Sequence, residues 1–311
     1  MRNAIVTGGT GFIGRNMIRR LCESGYIVYA VVRPDSPNLA RLPEHPNVHT
    51  VCCALDEIEC ALEYLPMEWD VLYHFAWGGV NRGEIDDEAV HSANLKRSLK
   101  VLRVAIDRGC GCFVDAGSRV EYGVQKGSFR EDAPCRPLVA YGRAKLEFCE
   151  RASVLCRNTR TRFLHARIFS VYGPDDHPWS LIYTAVTKML RNEPMDLSAC
   201  TQYWNFMDVR DAADLLLTMF ECRTRVPADD NGIFNVATPD TRPLREFVDE
   251  IHRLTNSHSE LRFGSFQQGV ESALSIRPDM TKVMSTFGWE PRIPFEEGIR
   301  HMVSVFEGNH G

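Results

Sequence analysis

The sequence predicts an α/β protein, a doubly wound parallel sheet with a smaller C-terminal α/β part, and three observations carry that prediction. Short apolar runs alternate with longer helix-like segments, a glycine-rich turn joins the first run to the first helix, and the pattern loosens beyond Gly173. The runs are Ala4 to Thr7, Ile27 to Val32, Val48 to Cys53, Val71 to Phe75, Phe113 to Ala116 and Phe163 to Phe169. Such runs, separated by helices, read as strands buried on both faces of a parallel sheet. Between two of them, residues 88–108 carry Leu95, Leu99, Leu102 and Ile106 on one helical face and stop at Gly109, which makes an amphipathic helix lying on the sheet.

After Gly173, prolines at 174, 178, 194, 227, 239, 243, 278, 291 and 294 separate shorter elements. Within that stretch, 208–220 read as a helix and Ile233 to Val236 as a strand, both able to return to the first sheet. The expected division is therefore one domain of residues 1–172 with 205–237 returning to it, and a second of 173–204 and 238–311. A length of 311 residues suits two such parts.

Composition narrows the function classes. The 44% hydrophobic and 25% charged content is that of an ordinary globular chain. No apolar stretch approaches the roughly 20 residues of a membrane span, and Met1 leads almost directly into a strand with no leader-like segment. A cytoplasmic protein with no membrane partner is expected. The net charge of -5 argues against nucleic acid. Eleven cysteines without CxxC spacing read as buried reduced thiols, and ten scattered histidines with no HExxH and no helical HxxxH give no metal site.

The turn Thr7-Gly8-Gly9-Thr10-Gly11-Phe12-Ile13-Gly14 opens a helix with Ile13, Met17 and Leu21 on one face. Gly8 permits a tight turn, Gly11 lets backbone approach a pyrophosphate, and Gly14 lets helix and strand pack closely, with the helix N-terminus facing the anion. A plain strand-to-helix turn is the alternative. The second strand ends in Arg33, where a carboxylate for the ribose 2′-hydroxyl would mark NAD. An arginine there suits the 2′-phosphate of NADP, so NADP is preferred and NAD possible, with Asp35 as the residue that would serve the ribose in the second case.

Tyr141 and Lys145 stand four residues apart, which on a helix puts phenol and ammonium on one face. A nearby cation favours phenolate and so makes a tyrosine useful for acid-base chemistry near neutral pH. Ser118 follows the strand that ends at Ala116, at the rim where open α/β sheets bind ligands. Its hydroxyl could steady a carbonyl oxygen for protonation by Tyr141; its other reading is a turn cap. Trp77, Asn81 and Arg119 also follow strand ends and are candidates to line the substrate pocket. Arg277 is a candidate to pair with a substrate diphosphate, or else a surface arginine.

Taken together, these residues resemble the extended short-chain dehydrogenase/reductase family, the NAD-dependent epimerases, dehydratases and reductases of nucleotide sugars, whose sheet is of the Rossmann type. The resemblance spans essentially the whole chain. Besides TGGTGFIG and YGRAK it includes Tyr73 to Trp77, Asn94, Arg167 to Pro174, Trp204-Asn205-Phe206-Met207-Asp208-Val209-Arg210-Asp211, and Phe287 to Pro291 with Glu297-Gly298. It implies a dinucleotide-binding domain and a substrate-binding domain, cofactor contacts from Leu55, Phe75, Ala76 and Ile168 as well as Tyr141 and Lys145, and a substrate contact from Asn205. It also implies a homodimer formed through the helices near Leu95 and Lys145. Two departures stand out. Ala54 replaces an aspartate that bonds adenine, with Asp56 close by, and Arg119 and Val120 replace the Asp-Glu pair that the dehydratases use to eliminate water. What the resemblance implies is reduction of a nucleoside-diphosphate-linked 4-keto-6-deoxyhexose with NADPH, with 4-epimerisation by bound NAD as the alternative and a non-catalytic dinucleotide-binding sensor as the outsider.

Overall fold

The computed structural model describes residues 2–81, 83–125, 127–265 and 275–308. Strand β1 (Asn3–Thr7) leads through the glycine turn into helix α1 (Phe12–Glu23), followed by β2 (Ile27–Val32), β3 (Val48–Cys52) and β4 (Val71–His74). Helix α2 (Glu88–Asp107), β5 (Cys112–Ser118), α3 (Ala140–Cys156) and β6 (Arg162–Ile168) complete the first run of elements. Next come β7 (Val171–Tyr172), α4 (Leu181–Leu190), β8 (Met195–Leu197), β9 (Tyr203–Asn205) and β10 (Met207–Asp208). The chain closes with α5 (Val209–Glu221), β11 (Ile233–Val236), β12 (Thr241–Pro243), α6 (Leu244–Leu254), β13 (Leu261–Phe263), α7 (Thr281–Phe287) and α8 (Phe295–Gly308).

Seven parallel strands form the main sheet in the order β11-β6-β5-β4-β1-β2-β3, the doubly wound Rossmann-type arrangement that the alternating pattern predicts. Successive residues point to opposite faces. Val6, Tyr73, Val114 and Leu164 join Met17 and Leu21 of α1 and Leu216 and Phe220 of α5 in one apolar cluster. Their neighbours Ile5, Leu72, Phe113 and Phe163 join Leu99 and Leu102 of α2 and Phe148 of α3 in another. The run from Asp208 and the strand at Ile233 do return to this sheet, as α5 and β11.

Helix boundaries follow local chemistry. Asp87 caps α2 by accepting from the N–H groups of Ala89 and Val90. Gly109 ends it in the left-handed region at φ 65, with Cys110 N–H bonded back to Ala105 O, a glycine-closed helix end.

A third cluster lies apart, built from Tyr172, Ile182, Val186, Met189, Phe206, Phe247, Ile251, Phe295, Ile299 and others. Among the described residues its strand pairings are short: β12 with β9, β13 with β8 and β10 with β7. Contacts cross the division expected at residue 238, Phe206 packing on Phe247 and Phe295 within this cluster. Ile276, Met280, Val283, Phe287 and Trp289 pack into the sheet's own cluster, because Phe287 meets Phe234 of β11 at 4.7 Å between ring centres. All eleven cysteines are free, and not all are buried: Cys52 and Cys60 are exposed. No helix among the described residues is long and apolar enough to cross a membrane.

Candidate active site

The strand order reverses between β1 and β4, so the crevice beyond their carboxyl ends is where such a sheet admits a ligand. The glycine turn forms one wall of it. Gly8 has φ 73, and a Cβ there would stand 2.6 Å from Ala76 N, so the turn lies directly against Phe75 and Ala76 at the end of β4. A Cβ on Gly14 would overlap Gly8 O, whereas one on Gly11 would meet nothing nearer than Gly8 O at 3.2 Å. Gly14 therefore allows the helix to sit close to the turn, and at Gly11 a side chain would press on the Gly8 carbonyl. As N-cap of α1, Gly11 offers no side-chain cap, leaving the N–H groups of Phe12 and Ile13 to an outside acceptor. This cradle fits a dinucleotide pyrophosphate.

At the adenosine end, Arg33 and Asp35 are both exposed, and Ser36 donates to Thr10 Oγ1 at 3.3 Å. Asp56, two residues beyond Ala54, is exposed and pairs with Arg97 Nε of α2 at 2.7 Å. Leu55 begins the 3-10 segment Leu55–Glu63 and is partly buried.

Ser118 ends β5, opposite Ile168 of β6, and caps the single 3-10 turn Arg119–Tyr122. Its Oγ accepts from Val120 N–H at 3.3 Å, while Ser118 N–H donates to Glu121 Oε1 at 2.7 Å, a capping box. The two readings of Ser118 are thus compatible, since an accepting hydroxyl keeps its own proton to donate. Burial pushes the Tyr141 phenol well above its ordinary range, and the hydrogen bond with Ser118 draws it back. The structure brings these two side chains together.

Lys145 is 2% exposed, donates to Ala116 O at 2.6 Å and lies 3.9 Å from the centre of the Trp77 ring. Burial pulls the ammonium below its ordinary range, opposed by Asp115 and then Glu121. After burial, the leading influences on the Tyr141 phenol are Ser118, Glu121, Asp115 and Arg119; the Lys145 ammonium is anchored on the Ala116 carbonyl and the face of Trp77. Trp77 is held in turn by its Nε1–H to His91 Nδ1 at 3.2 Å and packs edge-on to Tyr141. Asn94 clamps the following backbone, donating to Gly78 O at 2.9 Å.

The remaining pocket candidates divide. Arg119 lies over the Trp204 ring at 5.2 Å and Arg277 over the Tyr203 ring at 3.7 Å, two guanidiniums stacked on adjacent residues of β9. Asn205 is different. It is fully buried, gives its amide hydrogens to Thr238 O at 2.7 Å and Asp240 O at 2.8 Å and accepts from Thr238 N–H at 3.4 Å, so it ties β9 to the chain before β12. Asn81 is exposed and uses its amide oxygen to cap its own turn, accepting from Gly83 N–H at 3.0 Å and Glu84 N–H at 3.2 Å.

Sequence reasoning passed over a buried ionic group behind Ser118. Glu121, fully buried, bonds His165 Nε2 at 2.9 Å and accepts from Arg167 Nε at 3.0 Å; His165 Nδ1 lies 2.9 Å from Asp115. The signal was present as charged residues inside the apolar runs of β5 and β6. Which of them meet depends on strand register.

Residues 4–237 match the model of the NAD dependent epimerase/dehydratase family. The chain belongs to this family. It is accordingly an NAD-dependent enzyme of the extended short-chain dehydrogenase type. Among relatives of this epimerase/dehydratase member, the low-salt glycan biosynthesis protein Agl12 of Haloferax volcanii is 26% identical over 326 residues, covering 99% of both chains. The CDP-abequose synthase of Salmonella typhimurium is 24% identical over 308 residues, covering 96% of both. Among solved structures, the UDP-glucose 4-epimerase of Thermotoga maritima superposes with a TM-score of 0.85 at 22% identity, covering 99% of this chain and 100% of the other. That likeness speaks for the fold.

Proposed function

We propose that the protein reduces the C4 ketone of a nucleoside-diphosphate-linked 4-keto-6-deoxyhexose, with NADPH as the preferred reductant. The observation that supports the reading is Ser118 hydrogen-bonded to Tyr141, with Tyr141 and Lys145 both packed on Trp77, together with Arg33, Thr10 and Ser36 near the end of β2. Arginine pairs with a phosphate bidentately and stacks on a ring, which suits a 2′-phosphate. The abequose synthase likeness supports sugar reduction.

When bound, the nicotinamide supplies the hydride. Phe12 and Ile13 N–H groups would hold the pyrophosphate, with Phe75, Ala76 and Ile168 walling the cleft and Lys145 at its floor. Ser118 donates its hydroxyl proton in a hydrogen bond to the substrate carbonyl oxygen. Tyr141 gives that oxygen its proton as the carbonyl becomes an alcohol, a transfer typically worth about 10²–10⁴ in rate. Arg119 and Arg277, each stacked on an aromatic ring, would pair with the diphosphate. The loop after Ser118 carries Arg119 and Val120 and so lacks an acid-base pair for eliminating water.

The third apolar cluster with its short strands forms the substrate part, and the protein works as a cytoplasmic homodimer. Exposed Val154 and Leu155 on α3, beside Arg103 of α2, offer the contact face; sedimentation at monomer mass would overturn the dimer. A second reading, NAD-dependent 4-epimerisation, is favoured by the likeness to UDP-glucose 4-epimerase. The deciding experiment incubates the protein with NADPH or NADH and a panel of nucleotide-linked 4-ketosugars while following reduced-nicotinamide absorbance. Consumption supports the reductase. Interconversion of 4-epimers without net cofactor change supports the epimerase, and binding with neither leaves a dinucleotide sensor.

A further inference from the structure

Four polar side chains form a row across the sheet. Thr7 pairs in register with His74, His74 with Asp115, and Asp115 with His165, and all four are fully buried. Each lies two residues beyond Ile5, Leu72, Phe113 or Phe163, which belong to the cluster covered by α2 and α3, so the row faces those helices. His74 confirms the side by meeting Ser98 of α2 at 2.8 Å and the Phe148 ring of α3 at 6.1 Å. On α3, Tyr141, Lys145 and Cys149 recur every four residues and so run along the same row.

The row has two halves. Thr7 Oγ1 and Ser98 Oγ bond the two ring nitrogens of His74 at 2.7 and 2.8 Å, and burial draws that imidazole down to about 4, so this half is neutral at neutral pH. Asp115 has no comparable support. Its Oδ2 lies 2.9 Å from His165 Nδ1, and a buried carboxylate with so few polar partners persists only beside cations. Here those are His165, in contact, and Lys145, whose ammonium is anchored on the carbonyl of the next residue, Ala116, at 2.6 Å. Continuing the series, charges alternate from Lys145 through Asp115, His165 and Glu121 to Arg167. Among the described residues no group of His, Cys, Asp and Glu is arranged to hold a metal. Packing alone does not call for this series, since apolar side chains of similar size commonly fill such positions without loss of stability.

We propose that Asp115 is a positioning residue for the reaction: it keeps the Lys145 ammonium charged and fixed at the floor of the cofactor cleft, with His165, Glu121 and Arg167 behind it as struts. The proposal rests on the assignment of Ser118, Tyr141 and Lys145 to the chemistry. Every charged or titratable neighbour has a place in it. Lys145 faces Asp115 of β5, Glu121 of the 3-10 turn and His74 of β4. Asp115 faces Lys145, His165 and His74, which together hold it ionised against burial. His165 faces Cys149 of α3, Glu121 and Asp115, which hold it protonated against burial. Tyr141 faces Glu121, Asp115 and Arg119.

The test titrates Lys145 in the cofactor-free protein by ¹³Cε NMR. With six lysines in the chain, its signal is identified by its loss in Lys145→Arg. Asp115→Asn removes the leading countercharge and lowers the Lys145 midpoint by about 1–3 units. His165→Gln removes a cation beyond Asp115 and moves the midpoint upward. In turnover assays the alkaline limb of kcat for Asp115→Asn moves to lower pH with the midpoint, because loss of the carboxylate eases deprotonation of both Lys145 and Tyr141. A folded Asp115→Asn protein with the midpoint unmoved, or both variants shifting it the same way, overturns the proposal. If Asp115→Asn does not fold, His165→Gln decides alone, and an unmoved or falling midpoint is fatal. A wild-type protein inactive on every ketosugar would refute the reductase reading and leave the lysine titration to judge Asp115 by itself.

Discussion

Replacing Gly117 by alanine tests the buried ionic group without touching a charged residue. Gly117 lies between Ala116 and Ser118 in β5, and a Cβ built on it would overlap His165 Nε2 and stand 2.8 Å from Glu121 Oε1. Ordinary contacts for such atoms are about 3.5–4.0 Å, so ring and carboxylate must each retreat by roughly 1 Å. The His165 to Glu121 separations, now 2.9 and 3.0 Å, would then open beyond hydrogen-bonding range. Breaking a buried pair typically costs about 3–5 kcal/mol, a large part of the roughly 5–15 kcal/mol that holds most proteins folded. Urea unfolding followed by tryptophan fluorescence reads the loss. Gly78→Ala is the control, because a Cβ there meets only Asn94 Oδ1 at 3.8 Å; it should stay within about 0.5 kcal/mol of the parent. A Gly117→Ala protein within about 1 kcal/mol of wild type would mean that the pair contributes little, and the reasoning would fail.

Tyr141→Phe should lower turnover at least about 10²-fold while reduced cofactor still binds by fluorescence titration; an undiminished rate refutes its role as proton donor. Gly8→Ala places a side chain at φ 73 against the backbone of Ala76, so cofactor binding should be lost or the fold weakened, and unaltered affinity would show that the turn does not cradle a phosphate. Arg33→Ala should weaken NADPH binding about 10–100-fold and leave NADH affinity nearly unchanged, the ratio being the readout. Stability should peak near pH 6.5. Buried His74 is depressed to about 4, so as pH falls below the unfolded value the unfolded chain gains a proton that the folded one refuses, and up to about 3 kcal/mol is lost. His165 is raised, so its contribution is complete below the unfolded value and fades as pH rises toward the folded one. His74→Gln should flatten the acid side and His165→Gln the alkaline side of a pH series of urea midpoints.

Much of the sheet was legible because buried parallel strands are written as apolar runs. Those at Ile27, Val71 and Ile233 match the structure within a residue. Gly109 marked the end of α2 for a reason that acts locally, the left-handed φ. The meeting of Ser118 with Tyr141 was legible because one ends a sheet strand and the other opens the helix packed beside it. What stayed hidden depends on tertiary register. Asp115 and His165 are fifty residues apart in sequence and meet only because β5 and β6 pair in one register. Asn205 sits within a recognisable motif, yet its amide is consumed by residues 238–241, a contact no local pattern announces. The packing of 276–289 onto β11 was missed for the same reason, since prolines and short elements suggest separation while Phe287 seeks Phe234.

The third apolar cluster gathers residues from Tyr172 to Met302, and its consequence concerns the order of synthesis. Helix α8 contributes Phe295, Ile299 and Met302, and Gly298 lies so close to the Tyr172 hydroxyl and Asp208 that a Cβ would overlap them. On the ribosome, β1 to β6 can assemble while later segments are still emerging, since domains form as their chain becomes available. The smaller core stays open until its closing helix arrives. A nascent chain halted before Phe295 would therefore expose Phe206 and Phe247 to proteases and chaperones, making the interval before α8 emerges the vulnerable moment in the synthesis of this protein.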